Sequence, residues 1–444
     1  MYEPQQLVQM DLEHIIHPMH SRAHNGKGPL VFASGRGAVI TDVSGREYID
    51  AFAGLWNVDV GHGRAELAEA AAEQIRKLGF ASGYAGSSSV PAILLADRLA
   101  EMAPGDLKAT FFTTGGAESN ETAFKIARFY WKLMGQPDKV KIVGRQKGYH
   151  GLTAAAMSAT GMSQFWRHFG PLEPGFYHIP AHYCFRCPLH KSYPECNVAC
   201  ADALEQLILA EDPGTVAAFV AEPVAGTGGV LVPPPEYFPK IRQICDRYDV
   251  LFIADEVITG FGRTGKTFGL EHWGVVPDLM SFAKGVTSGY QPLGGVMMGE
   301  RVHRIFRELG EGEVFSHGYT YSGHPVCCAV ALRNLDIIRE ERLVERAAAM
   351  GERLLSGLRQ LESLPLVGEV RGLGLMAALE LAADKKGTPA PAGVNGRVMD
   401  YLESHGVFTR VRDDSVMLAP PLVITEQQID TIVNVLGEAI TSVA

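Results

Sequence analysis

An acid and a lysine, each at the end of an apolar segment, carry the most interpretable chemistry in this chain. The run from Leu251 to Ala254 ends in Asp255, and a second apolar segment ends in Lys284, just before a glycine. Such runs are typical of buried parallel strands, and ligands bind along the carboxyl edge of open α/β sheets. An acid that faces a ring nitrogen and a lysine that forms a Schiff base predict a pyridoxal phosphate site.

Both residues also have an ordinary interpretation. Asp255 could be a helix cap or a surface carboxylate, but the apolar residues before it would desolvate the acid unless it had a cationic partner. A protonated pyridine nitrogen would be that partner. Lys284 could be a solvated lysine with a pKa of about 10.4. Its place at a strand end, beside Phe282 and Gly285, would instead desolvate it and make it a nucleophile.

A small-residue turn between a strand and a helix predicts a phosphate site. The strand-like run ends near Thr113, glycines follow, and helical spacing begins near Ser119. The glycines allow close backbone approach, and the first free N–H groups of the helix, on Gly116 and Ala117, would bind an anion. The alternative is an ordinary strand–turn–helix, because the turn lacks the patterns of dinucleotide and nucleoside-triphosphate sites.

Two further strand ends carry candidate ligands. Tyr149, followed by His150, could stack on a flat cofactor, and its alternative role is core packing. Glu222 would place a second acid at the same edge of the sheet, where Pro223 ends the strand. The alternative for Glu222 is an ordinary polar residue whose hydrogen bonds are satisfied at a strand end.

Composition excludes several classes of function. The 444 residues are 46% hydrophobic and 20% charged, and 50 acidic against 40 basic residues give a formal charge of −10. Without a basic stripe, this charge argues against a nucleic-acid or anionic-membrane surface. We recognise no signal sequence and no apolar run of about 18 residues, which predicts a cytoplasmic protein without a membrane span. Seven cysteines do not indicate a disulfide framework.

Alternating segments indicate the fold class. From about residue 65 to about residue 301, short apolar runs alternate with helical segments, which predicts an α/β fold with a mostly parallel sheet. Ser44-Gly45 predicts a hairpin, and one long helical segment is predicted from Val326 to about Leu361. We predict a large domain over residues 61–325 and a small α+β domain built from both chain ends, residues 1–60 and 326–444.

Six motifs occur in an order and spacing that resembles the class III aminotransferases. These are fold-type-I pyridoxal-phosphate enzymes of the ω-aminotransferase group. The resemblance covers essentially the whole chain, and its specificity comes from the motifs being in register, since each is weak alone. The motifs are Phe112–Asn120, Tyr149–Gly151, Ala221–Pro223, Asp255–Gly265, Ala283–Gly285 and Gly318–Pro325.

The resemblance implies roles for the residues around the cofactor ring. Lys284 would hold pyridoxal phosphate and later carry a proton, and Asp255 would pair with the ring nitrogen. Val257 would pack on one face of the ring and Tyr149 on the other. His150 would also belong to the cofactor site.

The resemblance also implies how the rest of the cofactor is held. Gly116 and Ala117 would bind the phosphate, and because the family often has serine at the second position, one side-chain hydrogen bond is missing here. Glu222 would lie near the cofactor's O3′ side. Thr320 would reach the phosphate of the neighbouring subunit, which implies a homodimer with shared active sites, with pairing into a tetramer left open.

Five positions bear on the substrates. Trp56 resembles the tryptophan of the family's substrate pocket, with core packing as the alternative, and Tyr84 lies where related enzymes carry pocket aromatics. Arg410 matches the mobile arginine that binds the acceptor's carboxylate. Arg412 is predicted to be a solvated loop residue and not a ligand, with the alternative that the two arginines together provide the cations that the sulfonate of taurine would need. Ile258 stands where 4-aminobutyrate and acetylornithine enzymes usually have glutamine, which favours pyruvate over 2-oxoglutarate.

A cysteine-rich insert lies near the middle of the chain. Its spacing resembles a compact structural zinc site, and a similar insert occurs in taurine–pyruvate aminotransferases and some related enzymes. Reduced thiols are the default interpretation, so no metal is predicted, with zinc as the alternative. The insert contains Cys184, Cys187, Cys196 and Cys200, with His182 and His190 interleaved.

Together these observations predict a transaminase that works by ping-pong half-reactions. An ω-amino donor, such as taurine, a β-alanine-like compound, a diamine or a primary amine, would give its amino group to the cofactor, and pyruvate would receive it. The alternatives are a 2-oxoglutarate-dependent 4-aminobutyrate-type aminotransferase, or a decarboxylase, racemase or aminomutase on the same scaffold. A cofactor-binding regulator or a structural protein is disfavoured because Lys284, Asp255 and Arg410 occur together.

Overall fold

The fold is described by a computed structural model that covers residues 2–19, 28–84 and 86–444. Its strands are β1 (Phe32–Arg36), β2 (Val39–Asp42), β3 (Glu47–Asp50), β4 (Ala109–Thr113), β5 (Lys141–Arg145), β6 (Phe176–Ile179), β7 (Val216–Ala221), β8 (Leu251–Asp255), β9 (Leu279–Phe282), β10 (Gly294–Met298), β11 (Val367–Gly372), β12 (Ala377–Leu381), β13 (Val407–Phe408), β14 (Arg410–Arg412) and β15 (Ser415–Leu418).

The helices surround these strands and range from one turn to five turns in length. Among the described residues, none of them has the length and apolar character that a membrane span requires. The helices are α1 (Pro4–His14), α2 (Ala53–Trp56), α3 (Ala65–Lys77), α4 (Val90–Met102), α5 (Gly116–Leu133), α6 (Ala154–Ala159), α7 (Ala199–Ala210), α8 (Tyr237–Arg247), α9 (Glu300–Arg307), α10 (Pro325–Glu340), α11 (Leu343–Gln360), α12 (Val394–Ser404) and α13 (Glu426–Val443).

The central sheet has seven strands in the order β4-β10-β9-β8-β7-β5-β6. The pairs β5–β6, β5–β7, β7–β8 and β8–β9 are parallel, whereas β10 is antiparallel to both β4 and β9. This arrangement confirms the predicted α/β class with a mostly parallel sheet. The predicted strands of this sheet all form, with boundaries that move by one or two residues.

Residues of the central strands alternate between two hydrophobic cores. In β8, Phe252 and Ala254 pack into one core, and Leu251 and Ile253 pack into the other. Successive strand residues point to opposite faces of a sheet, so the strand is buried on both faces. Asp255, the last residue of β8, is therefore the first polar group of the strand and lies at the carboxyl edge of the sheet.

Two four-stranded sheets are built from the outer parts of the chain. One has the order β1-β2-β3-β13, and its antiparallel pairing of β2 with β3 confirms the hairpin predicted at Ser44-Gly45. In the same sheet β13 pairs in parallel with β3, which brings residues 407–408 beside residues 49–50. The other sheet has the order β11-β12-β15-β14, with β14 at its edge. The domain boundaries at residues 60 and 325 stay a prediction.

The prediction of a single long helix from Val326 to about Leu361 is wrong, because the helix is interrupted. The chain forms two helices, α10 and α11, and Arg342 between them has a left-handed backbone with φ of +51°. Both helices bury apolar residues at helical spacing, so their patterns resemble one continuous helix. The break falls in an exposed, charged stretch over residues 339–342, where no apolar side chain holds the helix against the core.

Candidate active site

A cavity of about 450 Å³ opens at the carboxyl edge of the central sheet. Asp255 ends β8, Glu222 follows β7, and Lys284 lies just beyond β9, so three neighbouring strands deliver polar side chains to one place. This is where an open α/β sheet binds its ligands. The predicted site residues that border the cavity are Trp56, Gly116, Ala117, Tyr149, His150, Glu222, Asp255, Val257, Lys284 and Arg410.

The carboxylate of Asp255 is buried and held by neighbouring donors. Its Oδ2 accepts a hydrogen bond from Nδ2 of Asn120 at 2.8 Å and lies 2.7 Å from Nδ1 of His150. Its Oδ1 accepts from the backbone N–H of Val257 at 3.1 Å. Among the described residues no lysine or arginine forms an ion pair with this acid. The acid is therefore oriented but still able to pair with a cationic ligand.

Asn120 has a function in this site that sequence reasoning did not identify. Its Nδ2 also donates to the backbone carbonyl of His150 at 2.8 Å, so one amide links the acid to the chain beyond β5. Asn120 is 1% exposed and lies on the same helical face as the buried Ala123 and Ala127. A polar residue on an apolar helix stripe was the signal that could have identified it.

Lys284 lies at the floor of the cavity with its amine free. Among the described residues, no hydrogen bond or salt bridge holds its Nζ. Burial lowers the pKa of Lys284 to about 8, and the carboxylates of Asp255 and Glu222 limit that fall. A lysine with a pKa near neutrality is partly unprotonated at pH 7 to 8, which a nucleophilic amine requires.

A second asparagine, also not identified from the sequence, supports the turn that carries Lys284. The lysine has a left-handed backbone with φ of +46°, which is uncommon for a residue with a side chain. Nδ2 of the buried Asn334, on α10, donates to the backbone carbonyls of Gly285 and Val286 at 2.8 and 3.0 Å. These bonds hold the turn from behind, so they stabilise the direction in which the lysine leaves the backbone.

Glu222 is a second buried acid beside Asp255, with a different environment. Its Oε2 accepts from the backbone N–H of Tyr149 at 3.1 Å, and its Oε1 accepts from that of Gly226 at 3.2 Å. Burial raises the pKa of Glu222 to about 7, and the neighbouring His150 opposes the rise. This acid can therefore hold or release a proton near neutral pH.

The first turn of α5 forms a glycine-lined anion site at one end of the cavity. The N–H groups of Gly116 and Ala117 belong to this first turn, where helical N–H groups have no partner within the helix. A Cβ on Gly116 would lie 2.7 Å from Cγ1 of Val257, and one on Gly151, whose φ is +121°, would lie 2.5 Å from Cβ of Ala117. Both glycines are therefore required by close packing around this turn.

Aromatic side chains form part of the cavity wall. The ring centroids of Tyr149 and Phe165 are 5.4 Å apart, and both residues border the cavity. Trp56 is 3% exposed and its ring lies 4.7 Å from that of Phe52. Trp56 thus has both of the environments considered for it, because it packs in a core and also borders the cavity.

Arg412 corrects a prediction, because it is not a solvated loop residue. It ends β14 beside Arg410, is partly buried and borders the cavity. Its guanidinium carbon lies 4.7 Å from the centroid of the Phe165 ring, within the range of a cation–π interaction. Ile258, the position used to favour pyruvate, is buried and borders the same cavity.

Tyr84 and Thr320 lie outside this cavity in the single chain. Tyr84 is 66% exposed, and a Cβ on Gly318 would lie 3.0 Å from its hydroxyl, so the two predicted segments are neighbours. Tyr84 and Gly318 border a separate cavity of about 660 Å³. Thr320 is exposed near this region. The roles predicted for Tyr84 and Thr320 therefore depend on a neighbouring subunit and stay predictions.

The four cysteines of the insert surround one small cavity of about 20 Å³. All are free thiols, and burial raises the pKa of Cys200 to about 12. Within the described ranges, no three His, Cys, Asp or Glu side chains are arranged as a ligand set for a metal ion. The cysteines cluster as their spacing suggested, but the cluster lacks the arrangement of a metal site.

The family model of class III aminotransferases matches residues 21–440. The chain belongs to the class III aminotransferases. This aminotransferase is 42% identical over 423 residues to putrescine–pyruvate aminotransferase of Pseudomonas aeruginosa, an alignment that covers 95% of this chain and 92% of the relative.

Solved structures of ω-transaminases have the same fold as this aminotransferase. The (S)-enantioselective ω-transaminase of Thermomicrobium roseum has a TM-score of 0.96 at 47% identity, covering 100% of this chain and 99% of that one. The ω-transaminase of Pseudomonas jessenii in complex with PMP has a TM-score of 0.95 at 41% identity, covering 98% of both chains. The predicted fold-type-I architecture is thereby confirmed.

Pyridoxal phosphate is the cofactor of this family, and the cavity of the aminotransferase fits it. The volume lies in the range of small-molecule sites. Nε2 of His150 and Oδ1 of Asn120 are buried without a hydrogen-bond partner among the described residues. These polar atoms beside Asp255 can therefore form hydrogen bonds to a ligand. The helix start supplies an anion site, the acid lacks a cationic partner, and the amine of Lys284 is free.

Proposed function

We propose that this aminotransferase moves an amino group from an ω-amino donor to pyruvate in two ping-pong half-reactions. The observation that carries the proposal is the placement of Lys284 and Asp255 in one cavity, with the amine free and the acid oriented by Asn120. When bound, pyridoxal phosphate captures the amino group of the donor and makes the adjacent C–H bond acidic.

In this proposal Lys284 transfers the proton, and Asp255 stabilises the protonated ring of the cofactor. Lys284 takes the proton from the reacting carbon and returns it on the cofactor side, which its pKa of about 8 permits. Asp255 keeps the ring nitrogen protonated, held in place by Asn120 and His150.

The remaining contacts orient the cofactor. The N–H groups of Gly116 and Ala117 bind its phosphate, and Glu222 borders its O3′ side. Val257 and Tyr149 bound the two faces of the ring. The supporting observations are the common cavity and the close packing of Gly116 on Val257.

Arg410 supports a 2-oxo acid as the acceptor, and Ile258 supports pyruvate among these acids. Arg410 borders the cavity at the end of the small sheet, where a guanidinium can form two hydrogen bonds to a carboxylate. Ile258 places an apolar side chain at the cavity, where 4-aminobutyrate and acetylornithine enzymes of the family usually have glutamine. The relative from Pseudomonas aeruginosa, whose name includes pyruvate, is consistent with this choice.

We also propose a homodimer with shared active sites as the minimal active unit. Thr320 and Tyr84 are exposed in the single chain, as are Phe80 and Tyr321, whose rings pack edge to face. Burial of these aromatic groups by a second copy would bring Thr320 towards the partner's phosphate site. Pairing of dimers into tetramers, and the cytoplasmic location, stay predictions.

A panel of amines offered with pyruvate or 2-oxoglutarate tests the proposed reaction. The expected result is amine-dependent formation of alanine from pyruvate, with little glutamate from 2-oxoglutarate and no release of CO₂. Glutamate as the main product would assign the 4-aminobutyrate-type alternative. Release of CO₂, or inversion of a chiral amine without alanine, would assign a decarboxylase or a racemase and would overturn the transaminase.

A further inference from the structure

Two arginines on one short strand face the substrate end of the cavity. Arg410 and Arg412 are the first and last residues of β14, and residues two apart on a strand point to the same side. Both border the cavity, together with Met417, which pairs with Arg410 on β15. Their Cα atoms are separated by about 7 Å, the rise of two strand residues.

Neither guanidinium has an acidic partner in the part of the chain that the structure describes. The nearest acid in sequence, Asp413, lies 3.6 Å from Nζ of Lys147 instead. Glu380, which accepts a hydrogen bond from the Ser415 hydroxyl opposite Arg412, is paired with Arg371. Glu380 is thus neutralised by another cation, and Asp413, which still attracts Arg412, is shared with Lys147.

Burial lowers the pKa of Arg412, and the positive charge of Arg410 adds to this effect. Two partly buried cations that repel each other are stabilised by an anion bound between or beside them. The Arg412 guanidinium lies over the ring of Phe165, which packs on Tyr149, and within the described ranges its N–H groups form no hydrogen bond. This leaves the N–H donors at the edge of the guanidinium available to a ligand.

The two half-reactions place their acid groups at different distances from the reacting carbon. The carboxylate of pyruvate is attached directly to the reacting carbon, whereas the acid group of an ω-amino acid lies at least one further bond away. Arg410 and Arg412 both border the cavity that contains Lys284, so they offer two positions at which an acid group can be bound.

We propose that Arg412 binds the acid group of the amino donor, a carboxylate or a sulfonate, while Arg410 binds the carboxylate of the acceptor. This inference rests on the transaminase function proposed above and names its donor class as short ω-amino acids and ω-amino sulfonates. Diamines become poor donors, because their second ammonium group would meet two uncompensated guanidinium groups. The relative from Pseudomonas aeruginosa is named for putrescine, a diamine, so the proposed donor of this chain differs from the donor in that protein's name.

Donors of matched length separate charge recognition from packing. The measurement is kcat/KM with saturating pyruvate for taurine, β-alanine, propylamine and 1,3-diaminopropane, on the holoenzyme and its Arg412→Gln variant. Taurine and β-alanine should lose about 10- to 100-fold in kcat/KM, as expected for a lost charge-assisted hydrogen bond. The loss for propylamine should be at least tenfold smaller, and 1,3-diaminopropane should improve. A loss confined to taurine or to β-alanine identifies the acid group that Arg412 binds.

A non-reactive ligand gives a second readout that does not depend on turnover. Propionate and 1-propanesulfonate should inhibit the wild-type enzyme competitively against the amino donor, and Arg412→Gln should weaken this inhibition about tenfold or more. In single-turnover experiments, Arg410→Gln should slow the reaction of pyruvate with the aminated enzyme more than it slows the amination by taurine. The cofactor's absorption spectrum and the melting temperature confirm that each variant is folded and loaded.

Equal losses for all donors after Arg412→Gln would overturn the proposal, because they would mean that Arg412 acts only by packing on Phe165. Unchanged inhibition by the two non-reactive acids would also overturn it. A wild-type enzyme that forms no alanine with any amine would instead contradict the transaminase function itself. The two failures are therefore distinguishable.

Discussion

Two buried lysines of this protein have the same lowered pKa, but only one of them has hydrogen-bond partners among the described residues. Burial lowers the pKa of both Lys284 and Lys139 to about 8. Lys139 donates hydrogen bonds to the backbone carbonyls of Tyr248 and Asp249, and its Nζ lies 3.8 Å from the centroid of the Trp131 ring. Lys284 has no such partners among the described residues and faces a cavity.

The difference shows that a shifted pKa does not identify a reactive group by itself. Lys139 is 2% exposed and is fixed by neutral oxygens and an aromatic face, so its amine stabilises the junction between α5 and β8. Lys284 combines the same pKa with space for a ligand and with acids across the cavity. Accessibility to a ligand, and not desolvation, separates the two roles.

The largest expected effect on activity comes from replacing Lys284, and replacing Lys139 is the matched control. Lys284→Ala should reduce alanine formation by roughly 10⁴-fold or more, because the group that forms the Schiff base and moves the proton is lost. Lys139→Met should retain activity and lower the melting temperature, since its carbonyl partners lose their donor. Steady-state rates and thermal unfolding measure both effects. Full activity in Lys284→Ala would contradict the proposed mechanism.

The raised pKa of the buried Glu222 predicts how the stability of the protein depends on pH. Glu222 has a folded-state pKa of about 7 against 4.5, so its carboxyl favours folding below pH 4.5 and loses that contribution as the pH rises through 7. The loss amounts to about 3 kcal/mol at most. In denaturant unfolding of the cofactor-free proteins between pH 5 and 8, the free energy of unfolding of the wild type should therefore fall relative to that of Glu222→Gln. The lowered pKa values of His178 and His182 act in the opposite direction in both proteins.

Glu256 provides an internal control for that pH dependence. Its pKa is also raised to about 7 by burial, and it accepts hydrogen bonds from the backbone N–H groups of Gly269 and Leu270. It remains in Glu222→Gln, so the part of the pH dependence that Glu256 contributes should remain in the variant. An unchanged slope in the variant would mean that Glu222 is ionised throughout this pH range.

The turn behind Lys284 can be weakened without touching the cavity. Asn334→Ala removes the amide that donates to the carbonyls of Gly285 and Val286, at a cost of about 2 kcal/mol in the free energy of unfolding. If the amide also positions the lysine, the variant should lose about tenfold in kcat and shift the pH at which the cofactor's absorption changes. Lost stability with an unchanged kcat and spectrum would assign Asn334 a structural role alone.

The smallest expected effect concerns the phosphate. Ala117→Ser should add one hydroxyl donor to the first turn of α5 and tighten cofactor binding about fivefold, or about 1 kcal/mol. Gly116→Ala should do the opposite, because its new Cβ would lie 2.7 Å from Cγ1 of Val257. Dissociation constants from cofactor titration of the cofactor-free enzyme compare the two variants. Equal affinities in all three proteins would place the phosphate elsewhere.

Much of the cofactor half of the cavity was predictable from the sequence. An apolar run that ends in a polar residue indicates both a buried strand and the side chain at its end, and Asp255 and Glu222 follow that rule. The apolar segment that ends in Lys284 placed the lysine at the same edge, and the family motifs supplied its role. Local sequence sufficed because strand ends are positioned by the same sheet that buries the strand.

The residue that holds the Lys284 turn and the residues predicted to bind substrate were harder to predict, because their positions depend on long-range packing. Asn334 meets Gly285 only after α10 has folded onto the turn, and no local pattern connects them. Arg412 was predicted to be a loop residue because a three-residue strand has too little periodicity to identify. Tyr84 and Thr320 could not be placed from one chain's sequence, since the single chain leaves both exposed.

The pairing of β13 with β3 has a consequence for the order of events during synthesis. The strand next to the two substrate arginines joins a sheet whose other strands were made more than 350 residues earlier. A nascent chain can therefore complete its lysine-bearing sheet on the ribosome and still lack one wall of the cavity. Chains that end before residue 407 would contain the strands of the central sheet and would lack the two arginines that we propose bind the acid end of a substrate.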